Sequence, residues 1–360
     1  MENGEGESGR TGGFRYDTIY QQWQRAEGIP SYTGAYVADL YNVDVAPWPR
    51  TGQKGAFVNL ASQELDDGQL LEIAPGGQTE VQHHLYESMI YVLEGRGATT
   101  LWQSGGPKQT VEWQRGSLFS PPLNCYYQHF NLEGRQRARL YAGTTAPAAM
   151  NLLRDPDFIF TTPHAFTNRY SGEDDFFKPG KRLGKGRWKT NFVPDLRAFD
   201  LDPSLYRGAS GTSMGFAMSD NASNVHMSEF PPGTYKKAHR HGAGAHVIVL
   251  DGAGYSLLHF EGHERLKVDW KDGSIVSPRH WEYHQHFNTG PTAARYLAFT
   301  FGGAVVVSQD AHVDGNQIEY EDEDEEVYEL FERECAQNKA KVVLPRPSYA
   351  GAAQRARRSP

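Results

Sequence analysis

Three histidines in the second half of the chain have the residue type and the spacing of a metal site. His239 and His241 are separated by one residue, and alternate residues of a β-strand point to the same face of a sheet. His284 lies in a second strand-like segment, so two strands could bring three imidazoles to one centre. Neutral imidazole nitrogens bind divalent metals such as iron, zinc, copper and nickel. We therefore predict that these three side chains bind a metal ion.

The block that carries these histidines is the second copy of an internal repeat. Residues 75–131 and 232–288 align without a gap at a constant offset of 157 residues, and roughly 20 of the 57 aligned positions are identical. The first copy has Gln82, His84 and Tyr127 in place of the three histidines. One imidazole, one amide and one phenol are a weak ligand set, so we predict a degenerate site there. The alternative is that Gln82 and Tyr127 bind a small organic ligand.

Other residues that could take part in catalysis or metal binding lie close to the candidate ligands in the sequence. His286 has the strand parity of His284, so it could be a further ligand, a proton carrier behind the metal or a packed side chain. His129 occupies the same place in the first copy, which favours a structural role common to both copies. Glu282 lies two residues before His284 and could act as an acid or a base. The alternative for Glu282 is a solvated residue at the start of a strand.

Short apolar runs separated by glycine-rich turns must position these residues. The run Ser88–Leu93 is an example, and the same pattern of apolar runs and turns recurs in the second half of the chain. This pattern is typical of antiparallel strands that close into a barrel or a sandwich. We therefore predict an all-β protein with one barrel in residues 52–150 and a second barrel in residues 206–310.

The remaining segments flank or connect the two barrels. Residues 1–51 are predicted to form a disordered tail and a short amphipathic helix capped by Asp17. Residues 151–205 are predicted to be an ordered linker. Residues 311–360 contain an acidic run at 321–326, a predicted helix that the acidic run caps, and a basic tail.

Composition excludes several classes of protein. The chain has 360 residues and a formal net charge of −8, which argues against a general nucleic-acid binder. Cys125 and Cys335 are the two cysteines, so a disulfide framework is not expected and a reducing cytoplasm is the simpler location. The sequence shows neither an apolar secretory signal nor a run long enough to span a bilayer, so no membrane association is expected.

The second copy resembles the two short motifs of the cupin superfamily, and the duplication makes the chain similar to a bicupin. One motif is a glycine, five residues, His-x-His and a later glycine, and the other is a glycine, a proline and a single histidine. The matching residues are Gly233, His239, His241, Gly252, Gly273, Pro278 and His284. The resemblance implies two double-stranded β-helix (jelly-roll) barrels with short flanking helices. It also implies that the three histidines bind one divalent transition metal per chain.

A departure from the common cupin pattern bears on the metal. Many cupins add a glutamate four residues after the second histidine, whereas this chain has Ala245 there and His246 beside it. Strand alternation turns His246 away from the cavity, although it remains an alternative ligand. A site of three histidines with open coordination positions suits Fe(II), which can then take both O₂ and a chelating substrate. Manganese, nickel, zinc and copper are the alternative metals.

Among cupins of known activity, the chain resembles gentisate 1,2-dioxygenase-like and quercetinase-like bicupins. The resemblance rests on the His-Arg-His of residues 239–241 and on residues 284–288, His-Gln-His-Phe-Asn. Residues 91–97 and 128–131 bring the chain closer still to a group of bacterial and fungal bicupins without an assigned activity. Gentisate dioxygenases keep their metal in the N-terminal barrel, so the residues that recognise gentisate are not carried over.

The resemblance implies a dioxygenase that cleaves a C–C bond of a small aromatic or enolisable substrate in the C-terminal barrel. One alternative is a metal-dependent lyase, isomerase or decarboxylase that acts on a small polar substrate. Another is a binding or storage bicupin without catalysis. The expected partners are a small molecule, O₂ in the case of a dioxygenase, and further copies of the chain in a homodimer or larger homo-oligomer.

Overall fold

The computed structural model describes residues 17–61, 65–242, 244–301 and 316–349. The predicted disordered tail, apart from its last residues, and the predicted basic tail lie outside these residues. No helix in the described part of the chain is long and apolar enough to cross a membrane.

Short strands and a few short helices make up the described chain. The elements up to residue 161 are α1 (Ile19–Glu27), β1 (Ser31–Tyr32), β2 (Tyr36–Val37), β3 (Ala46–Trp48), β4 (Gln53–Val58), β5 (Asp67–Ile73), β6 (Ser88–Glu94), β7 (Arg96–Trp102), β8 (Gln109–Gln114), β9 (Leu118–Phe119), β10 (Tyr126–Asn131), β11 (Ala138–Thr144), α2 (Ala146–Leu153) and α3 (Pro156–Thr161). The later elements are β12 (Lys181–Gly184), β13 (Arg187–Lys189), β14 (Phe192–Val193), β15 (Asp202–Pro203), β16 (Thr212–Ala217), β17 (Asn224–Phe230), β18 (Thr234–Tyr235), β19 (His246–Asp251), β20 (Ala253–His259), β21 (Leu266–Lys271), β22 (Ile275–Val276), β23 (Tyr283–Asn288), β24 (Ala294–Thr300) and α4 (Glu325–Gln337).

Each half of the chain forms one large sheet and one small sheet. In the first half the large sheet has the order β1-β4-β5-β11-β6-β9-β14, with β3 beside β4, and the small sheet has the order β10-β7-β8. In the second half the orders are β12-β13-β16-β17-β24-β19-β22-β2, with β15 beside β16, and β18-β23-β20-β21. The prediction of an all-β protein with two barrels and short flanking helices is confirmed.

Strands from the predicted flanking segments complete both large sheets. Strand β2, close to the N-terminus, pairs with β22 of the second half. Strand β14, from the predicted linker, pairs with β9 of the first half, whereas β13 pairs with β16 of the second. These pairings join residues far apart in the chain, and no local pattern indicated them. The two barrels are therefore connected by shared strands as well as by the linker.

The largest apolar cluster lies between the two barrels, where the large sheets pack face to face. Met89 and Tyr91 of β6 belong to this cluster, together with Met227 of β17. The alternate β6 residues Ile90 and Val92 point the other way, into the core of the first barrel. A strand covered on both faces needs apolar residues at successive positions, which explains the unbroken apolar run predicted as a strand.

Helix α1 begins one residue later than the predicted cap implies. Thr18, not Asp17, is the N-cap: its hydroxyl accepts from the Gln21 backbone N–H, and the Gln21 side chain accepts from the Thr18 backbone N–H. This reciprocal pair is a capping box, which satisfies two otherwise unpaired donors. Asp17 instead forms an exposed ion pair with Arg25.

Helix α4 covers the outer face of the small sheet of the second barrel. Phe331 packs with Tyr235 and Phe287 in a buried apolar cluster. The acidic run before this helix is not wholly exposed to solvent, as a run that only capped the helix would be. Glu323 is buried, and its carboxylate accepts from the Tyr235 hydroxyl and from the Gln285 amide. The run therefore fixes α4 on the sheet that carries His284 on its other face.

Candidate metal centre

The structure brings the three predicted ligands together. His239 and His284 face each other across two antiparallel segments, and their backbones exchange N–H···O bonds of 3.1 and 2.8 Å. The ring centroid of His284 lies 4.1 Å from that of His239 and 4.9 Å from that of His241. One ring nitrogen of each histidine lies within 4.8 Å of those of the other two. We call these residues the three-histidine cluster.

A backbone carbonyl holds the Nδ1 atom of each ring in the three-histidine cluster. Nδ1 of His239 lies 3.0 Å from the Lys237 carbonyl oxygen, and Nδ1 of His284 lies 3.1 Å from that of Glu282. Nδ1 of His241 lies 3.2 Å from the carbonyl oxygen of the next residue. A carbonyl oxygen can only accept, so Nδ1 must carry the ring proton and the Nε2 lone pair is left for a ligand. The donor set therefore fits a divalent transition metal.

Electrostatics also favour neutral rings in this cluster. Burial, followed by the positive charge of Arg207, lowers the pKa of His239 well below its ordinary value. Burial and the neighbouring histidines likewise lower the pKa of His284. His241 is less buried than the other two, so the cluster lies at an accessible end of the barrel interior. Neutral imidazoles near solvent are ready to accept a metal ion.

His246 lies elsewhere, and its prediction as an alternative ligand is wrong. Its Nδ1 atom is 2.6 Å from the hydroxyl of Tyr141, which belongs to the first barrel. Strand alternation explains this position: Ala245 and Val247 belong to the interior of the second barrel, and His246 faces the partner sheet. His246 therefore joins the two barrels.

Glu282 is buried, but its carboxylate is already occupied. It accepts from the backbone N–H of Arg279 at 2.8 Å and forms an ion pair with the guanidinium of the same residue. Its backbone carbonyl, not its side chain, contacts His284. These contacts support a structural role for Glu282 rather than the predicted role as acid or base.

One hydrogen-bonded group is repeated in both barrels below the candidate sites. A tryptophan indole donates to a hydroxyl oxygen at 2.9 to 3.0 Å, and the same oxygen lies 2.7 Å from Nδ1 of a histidine. The groups are Trp270, Ser256 and His286 in the second barrel and Trp113, Thr99 and His129 in the first. The group occurs with and without the three-histidine cluster, which supports the structural alternative for His286 and His129.

The corresponding place in the first barrel is closed by its own side chains. Nδ1 of His84 lies 2.9 Å from the Tyr86 carbonyl oxygen, so Nε2 must accept from the Tyr127 hydroxyl at 2.7 Å. Burial raises the pKa of Tyr127 well above its ordinary value, which keeps this hydroxyl protonated as a donor. The Gln82 amide donates to the Arg50 carbonyl oxygen. These contacts support the prediction that the first site is degenerate.

A cavity beside this closed site is small. Its volume is about 40 Å³, and Gln82, Tyr127 and His129 contribute to its lining. This space suits water molecules. The Gln82 amide and the Tyr127 hydroxyl already hydrogen-bond to Arg50 and His84. These contacts do not support the alternative of an organic ligand bound by Gln82 and Tyr127.

Three ionisable residues in the interior of the second barrel are absent from the sequence-based prediction. Arg207 and His226 lie outside the aligned repeat, so no comparison of the two copies marks them. Lys236 lies inside it, but its parity differs from that of His239 and strand alternation assigns it to the other face. The signal in the sequence was the change from Thr79 in the first copy to Lys236 in the second.

Comparison with known sequences gives a partial match. No protein-family model matches the chain. A gentisate 1,2-dioxygenase of a Haloferax species is 30% identical over 106 residues, which are 29% of this chain and 28% of the relative. The match therefore spans less than a third of that enzyme's length.

Comparison with solved structures gives the fold. An oxalate decarboxylase from Lactobacillus farciminis, in complex with formate, has a TM-score of 0.51 at 12% identity over 74% of this chain and 86% of its own. A deletion mutant of Bacillus subtilis oxalate decarboxylase has a TM-score of 0.50 at 13% identity, over 82% of this chain and 86% of its own. Salicylate 1,2-dioxygenase from Pseudaminobacter salicylatoxidans has a TM-score of 0.50 at 15% identity, over 66% of this chain and 71% of its own. These likenesses confirm the fold of two cupin barrels.

Proposed function

We propose that this chain, which is a bicupin by fold, is a metal-dependent enzyme whose single metal centre lies in the second barrel. The metal is Fe(II), and the reaction is a dioxygenation that cleaves a C–C bond of a small aromatic or enolisable substrate. The partial match to a gentisate 1,2-dioxygenase and the fold shared with a salicylate 1,2-dioxygenase support this reaction class.

The observation that carries the proposal is the orientation of the three imidazoles. Each ring of the three-histidine cluster donates its Nδ1 proton to a backbone carbonyl, so all three can ligate through Nε2. Ala245, where many cupins have a glutamate, belongs to an apolar cluster and offers no ligand. Fe(II) held by these three neutral nitrogens would supply the chemistry of O₂ activation beside a chelating substrate.

The protein around the cluster contributes orientation and a dry environment. The backbone carbonyls fix the ring tautomers, and the bonds between His239 and His284 fix the distance between their strands. Buried apolar residues, among them Val247 and Ala298, line the interior of the same barrel. They exclude water, which strengthens electrostatic interactions with a bound substrate.

An oxygen-uptake assay tests the reaction class. Protein loaded anaerobically with Fe(II) is mixed with hydroxylated aromatic acids and 1,3-diketones, and O₂ consumption is recorded together with the product masses. We expect uptake with at least one substrate and a product that carries both oxygen atoms after C–C cleavage. Turnover without O₂ consumption would instead indicate a lyase, isomerase or decarboxylase.

Matched histidine substitutions locate the centre. His239→Ala removes one Nε2 ligand, and we expect the metal content to fall from about one ion per chain to near zero. His84→Ala changes the aligned first-copy site and should leave the metal content unchanged. Metal analysis by mass spectrometry measures both, and equal loss from the two variants would contradict a single centre in the second barrel.

A further inference from the structure

A buried lysine lies in the second barrel without a carboxylate partner. Lys236 is 4% exposed. Its ammonium donates to the hydroxyls of Ser228 and, at 3.2 Å, Tyr296, and it lies 5.3 Å from the ring centroid of Phe230. No described carboxylate forms an ion pair with it. An ammonium has three N–H donors, so one donor has no acceptor among the described residues.

Burying an ammonium group with neutral partners alone is unfavourable. Removing the charge from water carries a large desolvation penalty, and two hydroxyl acceptors offset only part of it. A methionine of similar length would fill the same apolar space without this cost. An anion bound beside Lys236 would offset this cost and accept its remaining N–H.

Arg207 adds positive charge near the three-histidine cluster, where it acts on His239. His226 lies close to both Arg207 and Lys236. The guanidinium of Arg207 donates to the Gln317 side chain at 2.9 Å and forms no ion pair with a described carboxylate. Burial, followed by the charges of Lys236, His241 and Arg207, lowers the pKa of His226 to about 3. Neither ring nitrogen of His226 makes a hydrogen bond to a described residue. His226 therefore has ring nitrogens that are not committed to a described partner and lies within electrostatic range of both cations.

The first barrel shows that the fold does not require this arrangement. Its equivalents of Lys236 and His226, at the offset of the repeat, are Thr79 and Gln69. The pair Ser228 and Tyr296, which face each other across neighbouring strands and hold the lysine, corresponds to a pair of leucines, Leu71 and Leu140.

Arg50 is the first-barrel equivalent of Arg207 at the offset of the repeat, and it has a different partner. Arg50 lines the interior of that barrel, as its cavity shows, but Glu27 neutralises it in an ion pair. Unpaired cations therefore occur in the barrel that has the three-histidine cluster and not, among the described residues, in the one that has lost it.

We propose that Lys236, assisted by Arg207 and His226, binds the anionic end of a small carboxylic acid whose other end reaches the three-histidine cluster. This rests on the proposed function for the location of the reacting end, and it names the substrate class. The carboxylate would accept the free N–H of Lys236 and bring the negative charge that the buried cations lack. Lys236 is thus a residue that determines specificity for acids over neutral analogues.

Binding measurements on the metal-loaded protein test this assignment. The probes are acetate, oxalate and 2-hydroxybenzoate, each compared with its uncharged amide, and inorganic phosphate is included as a non-carboxylate anion. We expect at least one acid to bind about tenfold or more tightly than its amide, since a hydrogen bond to a charged group is worth about 1.5 to 3 kcal/mol. Equal binding of every acid and its amide, or a preference for phosphate, would overturn the assignment.

The variant Lys236→Met separates a binding role from a structural one. We expect it to lose the preference for the acid by about tenfold, to keep its metal and to unfold at the same or a higher temperature. Lys271→Met is the matched control, because Lys271 lies on the exposed side of the same barrel and pairs with Asp39, and it should bind as the unchanged protein does. A lower unfolding temperature for Lys236→Met with no change in acid preference would show that the lysine is structural.

Metal analysis keeps this inference distinct from the proposed function. If the unchanged protein binds no metal but still prefers an acid to its amide, the metal proposal fails and the anion site stands. If metal binds and the preference is absent, the anion site fails alone.

Discussion

At the scale of single residues, His84 and His241 hold the same position in the two copies and differ in what their Nε2 atoms meet. The Tyr127 hydroxyl donates to Nε2 of His84, whereas His241 lies beside the rings of His239 and His284. A phenol with a raised pKa is a donor and competes with a metal ion for the same lone pair. The change from histidine to tyrosine therefore removes one ligand and blocks another.

This relation predicts that the first site can be restored. The double variant Gln82→His and Tyr127→His supplies the two missing imidazoles beside His84, and we expect the metal content to rise from about one to about two ions per chain. Mass spectrometric metal analysis after dialysis measures the ratio.

The control for the restored site is Tyr127→Phe. It removes the hydroxyl that blocks His84 but adds no nitrogen ligand, so the metal content should stay at one ion. A folded double variant that binds no additional ion would show that the first barrel lacks the geometry, and not only the ligands, for a metal site.

At the scale of elements, helix α1 shows what determines which of two adjacent residues becomes the N-cap. Two adjacent residues, Asp17 and Thr18, are both good N-caps by type. Gln21 lies three residues after Thr18 and completes a capping box, which leaves Asp17 outside the helix. The buried face of the helix, with Tyr20 and Trp23, packs on the first barrel, so its cap contributes to the stability of that barrel.

Substitution of each residue in turn tests the cap. Thr18→Ala removes the hydroxyl that accepts from the Gln21 backbone N–H and should lower the free energy of unfolding by about 1 kcal/mol. Asp17→Ala removes only an exposed ion pair and should cause a smaller loss. Urea unfolding curves compare the two variants, and a larger loss for Asp17→Ala would contradict the capping box.

At the scale of the whole molecule, the two barrels share one apolar interface with a polar pair inside it. The Tyr141 hydroxyl oxygen lies 2.6 Å from Nδ1 of His246, and both side chains are buried. Burial lowers the pKa of His246 from 6.5 to about 4. A neutral ring can accept the hydroxyl hydrogen through an unprotonated Nδ1, whereas a protonated ring cannot.

This pair predicts an acid-dependent loss of stability. Between pH 6.5 and pH 4 the unfolded chain binds the His246 proton and the folded chain does not. The free energy of unfolding therefore decreases as the pH falls through this range, by at most roughly 3 kcal/mol from this residue. Unfolding measured at several pH values should show the decrease.

A double substitution assigns that part of the pH dependence to the interface. Tyr141→Phe with His246→Leu removes the titrating ring and its partner, so stability should fall less steeply between pH 6.5 and pH 4. His263 is exposed, and His263→Leu should keep the unchanged slope. The same slope in all three proteins would show that His246 does not contribute.

The sequence by itself determined the two barrels and the three-histidine cluster. A constant offset between copies, apolar alternation and the spacing of His239, His241 and His284 are local features, and a strand with period two turns them directly into positions on one face. The degenerate first site followed from the same counting, since Tyr127 occupies the place of a ligand.

Only the tertiary structure decided the rest. The pairing of β2 with the second barrel and the position of His246 against Tyr141 depend on contacts between residues far apart in the chain. Lys236 and His239 both face the interior because strand alternation is interrupted between them, and Arg207 and His226 reach the same interior from other segments. Local patterns specify the face of a regular strand, but the charge of a pocket depends on which distant side chains the fold brings into it.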